Sequence, residues 1–257
     1  MVLRLVLFTL ILCTTAASYG LDPRADIEKA VKLIEVGEHT LARAYLEPSV
    51  ISPYLSNAER SRAYYLRGFT YLVQNLPVSA RKDFNRALEF NASNPAALVE
   101  LGRLHLAGKG IEKDAQLALT LFEQAATLDY PAARFHIGYA YLLGEGVEKN
   151  LLKAREILSL AADQGHVFAM MSLAASYRKE HVALPEPELA HAWYLKAHAA
   201  GEGKALLAIG YMMANGELGQ ASHHKAVEAF QKAADEGVIE ANTSLAYAYL
   251  TGNGVKE

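Results

Sequence analysis

The histidines and the carboxylates beside them are where chemistry would first be sought in this chain. Glu188-x-x-His191 has the spacing at which one helix offers a carboxylate and an imidazole to a metal inside a helical bundle, and His198 follows seven positions after His191. Such a centre needs a second carboxylate–histidine motif on a facing helix, and the sequence contains none. His223 and His224 are adjacent at an expected helix start, where neighbouring side chains point apart. Both sets therefore read as surface histidines, and neither a metal nor a cofactor is expected.

Nucleophilic chemistry finds no better footing. The sequence has no nucleophile elbow, phosphate loop or zincin helix, and no serine stands in visible register with a histidine and a carboxylate. Its one cysteine, Cys13, lies in a segment expected to be removed, which excludes thiol catalysis in the mature chain. A non-enzyme is the expectation. Asn91-Ala92-Ser93 and Asn242-Thr243-Ser244 fit the N-glycosylation pattern, which matters only in a eukaryotic source.

That removable segment is residues 1–20. Arg4 gives a short basic start, Leu5 to Leu12 an apolar run, and Ala16, Ala17, Ser18 and Gly20 a small-residue exit, which together predict a secretory signal peptide cleaved after Ser18 or Gly20. The run is far below the roughly 20 residues of a membrane span, so no stable membrane insertion is expected after cleavage. An uncleaved anchor helix is one alternative. Lipid attachment at Cys13 is another, opposed by Leu12, because a small residue normally precedes a lipidated cysteine. An exported protein is expected, periplasmic with secretion as the alternative, held together by packing without disulfides. Its net charge of −3 and lack of any Lys/Arg run argue against nucleic acid as a partner.

The elements that must position any site come from repetition. Pro131 to Gly165 reads as two amphipathic helices: Ala133, Ile137, Ala140 and Tyr141 mark one apolar stripe, and Leu151, Ala154, Ile157, Leu158 and Ala161 a second. Gly144 and Gly146 mark the reversal, Asn150 is an expected N-cap and Gly165 an expected helix stop. Upstream, Ala25 to Val36 and Thr40 to Leu46 predict another pair, with Pro48 closing the second helix. Glu59 to Val73 and Val78 to Phe90 predict a third.

From Pro95 onward the period is 36 without insertion. Gly102, Gly138, Ala174, Gly210 and Ala246 form a column of small residues, preceded by Leu101, Ile137, Leu173, Ile209 and Leu245. Ala118, Ala154, Ala190 and Ala226 form a third column, Phe122, Leu158, Tyr194 and Phe230 a fourth, and Ala125, Ala161, Ala197 and Ala233 a fifth. Five columns in one register establish a helical-hairpin repeat.

Tyr64, Gly68, Tyr71, Ala80, Phe84, Ala87 and Pro95 resemble the tetratricopeptide repeat in order and nearly in spacing, with Arg67 departing from an apolar position. The loops Gly108-Lys109-Gly110-Ile111, Gly144-Glu145-Gly146-Val147 and Gly252-Asn253-Gly254-Val255, with the paired alanines before Gly165 and before Asp235-Glu236-Gly237, resemble the related Sel-one-like repeat from about Asn94 to Glu257. The third repeat departs at Arg178-Lys179-Glu180-His181 and Pro185-Glu186-Pro187, and the fourth at Leu218. The resemblance implies an all-α fold, an α-solenoid of stacked antiparallel helix pairs forming a right-handed superhelix after the signal peptide. Its expected parts are two tetratricopeptide-like hairpins over 21–94 and Sel-one-like repeats over 95–257, four full and a fifth ending after its first helix.

The resemblance also implies a role. Both families characteristically scaffold assemblies through a concave groove lined by the first helices. Overlaying the groove positions by the glycine register places Phe69, Arg103, Tyr139, Ala175, Tyr211 and Tyr247 in one row, and Tyr65, Val99, Phe135, Met171, Leu207 and Thr243 in a second. Arg62, Phe168, Arg178 and Lys204 lie nearby. An aromatic stripe with scattered cations suits a protein or peptide partner, in the cell envelope for an exported chain. The alternative is that these rings tuck against neighbouring repeats. Tyr71, Tyr141, Tyr177 and Tyr249, two positions on from the first row, are expected to be structural. A second function, binding or hydrolysing a peptidoglycan fragment, is implied by cysteine-rich relatives that carry a cysteine pair in each repeat, pairs this sequence lacks. Such a site needs polar groups converging on one pocket.

Overall fold

A computed structural model describes residues 22–178 and 185–254, so the expected signal peptide and Lys179, Glu180 and His181 lie outside the described residues. The described residues form thirteen α-helices and no strand, and they divide into two compact units, Met1–Tyr130 and Pro131–Glu257.

In the first unit α1 (Pro23–Glu35) pairs with α2 (His39–Val50), α3 (Asn57–Val73) with α4 (Pro77–Phe90), and α5 (Pro95–Ala107) with α6 (Ala115–Ala126). Local chemistry starts each pair. Asp22 accepts the Arg24 N–H at 3.0 Å, and Asn94 accepts the Ala97 N–H at 3.1 Å while its amide donates to Ser61 Oγ at 2.9 Å. Ser56 and Glu59 form a reciprocal capping box at the start of α3. Bonds from the Ser56 hydroxyl and N–H, then from Arg24, pull the Glu59 carboxyl down to about 2.

One boundary corrects the sequence reading. Pro48 does not close α2, which runs on to Val50. Near a helix end a proline removes only one backbone bond, and the next two residues are held in place: Ser49 Oγ donates to the Tyr45 carbonyl at 3.0 Å, and Ser49 and Val50 are buried.

The second unit repeats the hairpin. It comprises α7 (Pro131–Leu143) with α8 (Leu151–Asp163), α9 (Val167–Tyr177) with α10 (Pro187–Ala199), α11 (Lys204–Ala214) with α12 (His223–Asp235), and then α13 (Ile239–Thr251). Asn150 caps α8 as expected, accepting the Lys153 N–H at 3.0 Å, and Gly165 takes φ +86° past its end.

The columns are the core. All four alanines of the third column, all four residues of the aromatic or leucine column and all four alanines of the fifth are buried. The small-residue column explains itself by what a Cβ would strike. At Gly102 it would fall 2.6 Å from the Phe122 ring, and at Gly138 2.7 Å from Leu158. First and second helices therefore approach until the larger residue of one lies on the backbone of the other. Ala154 and Ala190 are fully buried at the same seams. Leucine at either is expected to cost about 1–3 kcal/mol by overpacking, and a urea melt unchanged by both substitutions would contradict the register.

Candidate functional site

The first helices carry the groove rows, and α7 and α9 lie in contact. In the first unit the row residues are largely used by the fold. Tyr65 is half-buried with its ring 6.1 Å from that of Phe84, and Phe69 meets His39 edge-on at 6.4 Å. Burial, and secondly the charge of Glu100, push the Tyr65 phenol well above its ordinary range. Arg103 is exposed, but its guanidinium donates to both Glu100 oxygens at 2.8 and 2.9 Å. Arg62 pairs with Glu28.

The second unit brings aromatic rings together. Phe135 lies 5.7 Å from Tyr139, 6.4 Å from Phe168 and 4.9 Å from His166, ring centre to ring centre. Phe135 and Met171 are half-buried against the core, while Tyr139 is 37% and Phe168 62% exposed. Further along the same row Tyr211 is 42% and Tyr247 66% exposed. The Tyr211 hydroxyl is hydrogen-bonded to Ser244 Oγ at 2.6 Å. Isolated exposed rings need no explanation, but a cluster of them on one face does.

The cations expected beside the row are committed elsewhere. Arg178 donates to Glu217 through Nε at 3.0 Å and Nη2 at 2.5 Å, and both side chains are nearly buried, at 13% and 4%. Lys204 pairs with Glu240 at 2.6 Å in solvent. The face presented by this unit is therefore aromatic and polar rather than basic.

The tyrosines two positions on from the row serve the hairpins. Tyr71 lies under Arg43 at 4.7 Å, Tyr141 under Lys153 at 4.3 Å and Tyr177 under Arg155 at 4.0 Å. Tyr249 differs, being 61% exposed. Lys153, an obvious candidate for an idle second-helix residue, thus packs on Tyr141 and also donates to its hydroxyl at 2.6 Å.

His166 is the member of the aromatic cluster that sequence patterning passed over. It stands at the N-cap of α9, where Nδ1 accepts the Ala169 N–H at 3.1 Å, while its ring stacks on Phe135. Glycine followed by a polar residue ahead of an apolar run is the signal that marks such a cap. Burial lowers its pKa below the ordinary 6.5. The folded state therefore binds this proton less tightly than the unfolded chain, so the stabilisation is complete above about pH 6.5 and declines as pH falls from there towards the lowered value. Urea melts between pH 7 and pH 5 are expected to show the second unit weakening, and His166→Asn, which keeps a capping oxygen, to flatten that decline.

Two other histidines have carboxylate neighbours: His198 Nδ1 is 3.6 Å from Glu236, and His224 Nδ1 is 3.5 Å from Glu228. Among the described residues no group of three histidine or acidic side chains is placed to hold a metal ion, and no helix is long and apolar enough to cross a membrane.

Comparison with known proteins settles the family. The Sel1 repeat profile matches residues 15–35, 95–130, 131–166, 167–202, 203–238 and 239–257, most of the chain. The protein belongs to the Sel1 repeat family. Its five contiguous matches follow the hairpins of α5 to α13. Among solved structures, this Sel1 repeat protein resembles one from Oxalobacter formigenes, with a TM-score of 0.70, 22% identity, and coverage of 90% of this chain and 91% of that one. It also resembles c5321, a protective antigen of uropathogenic Escherichia coli with the same fold, at a TM-score of 0.50 and 20% identity. There 92% of this chain covers 58% of that one. Pseudomonas aeruginosa protein 5086 gives a TM-score of 0.52 at 22% identity over 71% of this chain and 68% of that one. At these identities the likeness is one of fold. No curated protein sequence matches the chain. Sel1 and tetratricopeptide repeats are characteristically non-catalytic scaffolds suited to protein–protein contacts, and the architecture of this chain is of that kind.

Proposed function

We propose that this Sel1 repeat protein is an exported, non-catalytic adaptor of the cell envelope, resident in the periplasm, that holds an uncharged segment of a partner protein along the first-helix face of Pro131–Glu257. The observation that carries the reading is the cluster of Phe135, Tyr139, His166 and Phe168, continued along the row by Tyr211 and Tyr247. Large rigid rings give contact area at small entropic cost and are the usual anchors of a binding face. With Arg178 held by Glu217 and Lys204 by Glu240, this face offers little to an acidic ligand. The apolar run and small-residue exit of residues 1–20 support export.

Site-specific photo-crosslinking tests this in the native cells. Probes at Tyr139 and Phe168 are expected to give one discrete protein adduct, and a probe at exposed Lys232, on a second helix, to give none. Equal labelling from Lys232, or none from either groove position, would remove the adaptor reading. Fractionation of the same cells tests the location, and a cytoplasmic protein would contradict it.

A further inference from the structure

A cavity of about 520 Å³ opens between α11, α12 and α13, within the size range of ligand pockets. Its origin is legible by moving 36 residues along the chain. One repeat earlier, the corresponding positions carry Arg178 and Glu217, joined as a buried pair, together with Leu207 and the fully buried Met212. In the cavity the same four positions are Ala214, Asn253, Thr243 and Ala248. Every one of the four has become smaller, and the space that a salt bridge and two apolar side chains take up in one cleft stands open in the next.

What lines the space defines what it can hold. Tyr211 and Tyr247 of the groove row border it, Val227 and Phe230 give it an apolar side, and Asn215, Thr243, Ser244 and Asn253 bring carboxamides and hydroxyls. Among the described residues no carboxylate, ammonium or guanidinium lines it, and beside the two tyrosines its one ionisable group is the imidazole of His223. A lysine or arginine entering would lose water without finding any opposite charge, and a carboxylate would find only the His223 imidazole, which is largely neutral at pH 7. A purely aliphatic one would cover the Thr243 hydroxyl and the Asn253 carboxamide without offering them a partner, whereas Ser244 is already bonded to Tyr211 and Asn215 to Glu217. The side chains with an apolar body and one polar tip are tyrosine and tryptophan.

Resting on the adaptor reading above, we infer that this cavity is the specificity pocket of the binding face and receives a tyrosine or tryptophan side chain of the captured segment. The pocket lies beside the exposed faces of Tyr211 and Tyr247, so an extended segment following the row passes over its mouth.

The test uses capped amino acids followed by NMR on the whole protein. N-acetyl-tyrosinamide and N-acetyl-tryptophanamide are expected to shift the Val227, Ser244 and Ala248 signals saturably, and the capped glutamate and lysine amides to bind at least about tenfold more weakly. Equal binding of the charged amides, stronger binding of methyl glucopyranoside, or no saturable shift would overturn the inference. The double variant Thr243→Leu/Ala248→Met restores the filling of the preceding cleft and is expected to abolish these shifts while melting no lower than wild type. If it melts lower, Asn253→Asp serves instead: a carboxylate in the pocket should turn its preference towards the lysine amide, and an unaltered preference would overturn the inference. The adduct from Tyr139 separates the two proposals. An undiminished yield in whichever variant remains folded overturns the pocket and leaves the adaptor standing, whereas no adduct in wild type overturns the adaptor itself.

Discussion

Replacing Glu217 by alanine is expected to destabilise the second unit by about 3–5 kcal/mol, enough to unfold an ordinary domain of its size partly at room temperature. The Glu217 side chain is only 4% exposed and binds Arg178 through two parallel bonds, joining the end of α9 to the loop between α11 and α12. Removing the carboxylate takes two charge-assisted bonds from a guanidinium that is itself only 13% exposed, where little water reaches to replace them. The magnitude comes from weakening the compensation of a desolvated charge rather than from the worth of the bond. Arg178→Met/Glu217→Leu should accordingly recover most of the loss, because two apolar groups of similar volume need no partner. Lys204→Ala is the contrast. Its bond to Glu240 is short at 2.6 Å, but the side chains are 57% and 55% exposed and water screens the pair, so the midpoint should barely move. Urea melts of these variants decide it, and an E217A midpoint close to that of K204A would show that the Arg178–Glu217 pair is not effectively buried.

This contrast also shows what a sequence can and cannot disclose. The 36-residue columns were legible because burial repeats: Ala154 and Ala190, like Leu158 and Tyr194, face the same surroundings one hairpin apart, so the chain keeps restating the same size. Side chains at the hairpin edges obey no such repetition. Arg178 looked like a free groove cation because its partner lies 39 positions away, and Lys204 because Glu240 lies 36 away. Arg67 is the same lesson in the first unit. It departs from the repeat pattern, and the structure answers with Asp83, 7% exposed, accepting two bonds at 2.7 and 2.8 Å. Pro48 misled for a local reason, since a single missing N–H in a last turn is outweighed by the burial of Ser49 and Val50. The cavity beside Tyr247 was invisible because it depends on four positions shrinking together, and each substitution alone looks conservative. The aromatic rows were placed correctly on the first helices, but only the fold separates Tyr65 and Phe69, packed inward, from Tyr139, Phe168, Tyr211 and Tyr247.

The close approach of paired helices makes a second large effect, with a sign that helix propensity alone gets wrong. Gly68 lies within α3, where alanine would ordinarily gain up to about 1 kcal/mol. A Cβ there would stand 2.7 Å from the Phe84 ring and 3.2 Å from Asp83 Cβ, and Phe84 is wholly buried. The ring has no exposed side to retreat to. Overpacking of about 1–3 kcal/mol should therefore outweigh the propensity gain, and Gly68→Ala should destabilise the first unit. Phe84→Ala attacks the same contact from the other side. It empties the largest fully buried side chain of that hairpin and is expected to cost about 3–5 kcal/mol. The two losses should not add. In Gly68→Ala/Phe84→Ala the smaller side chain leaves room for the new methyl, so the double variant should be more stable than the sum of its parts by about 1 kcal/mol or more. Strict additivity in a double-mutant cycle would mean that Gly68 and Phe84 do not press on one another, and that the small-residue column is kept for some reason other than the distance between paired helices.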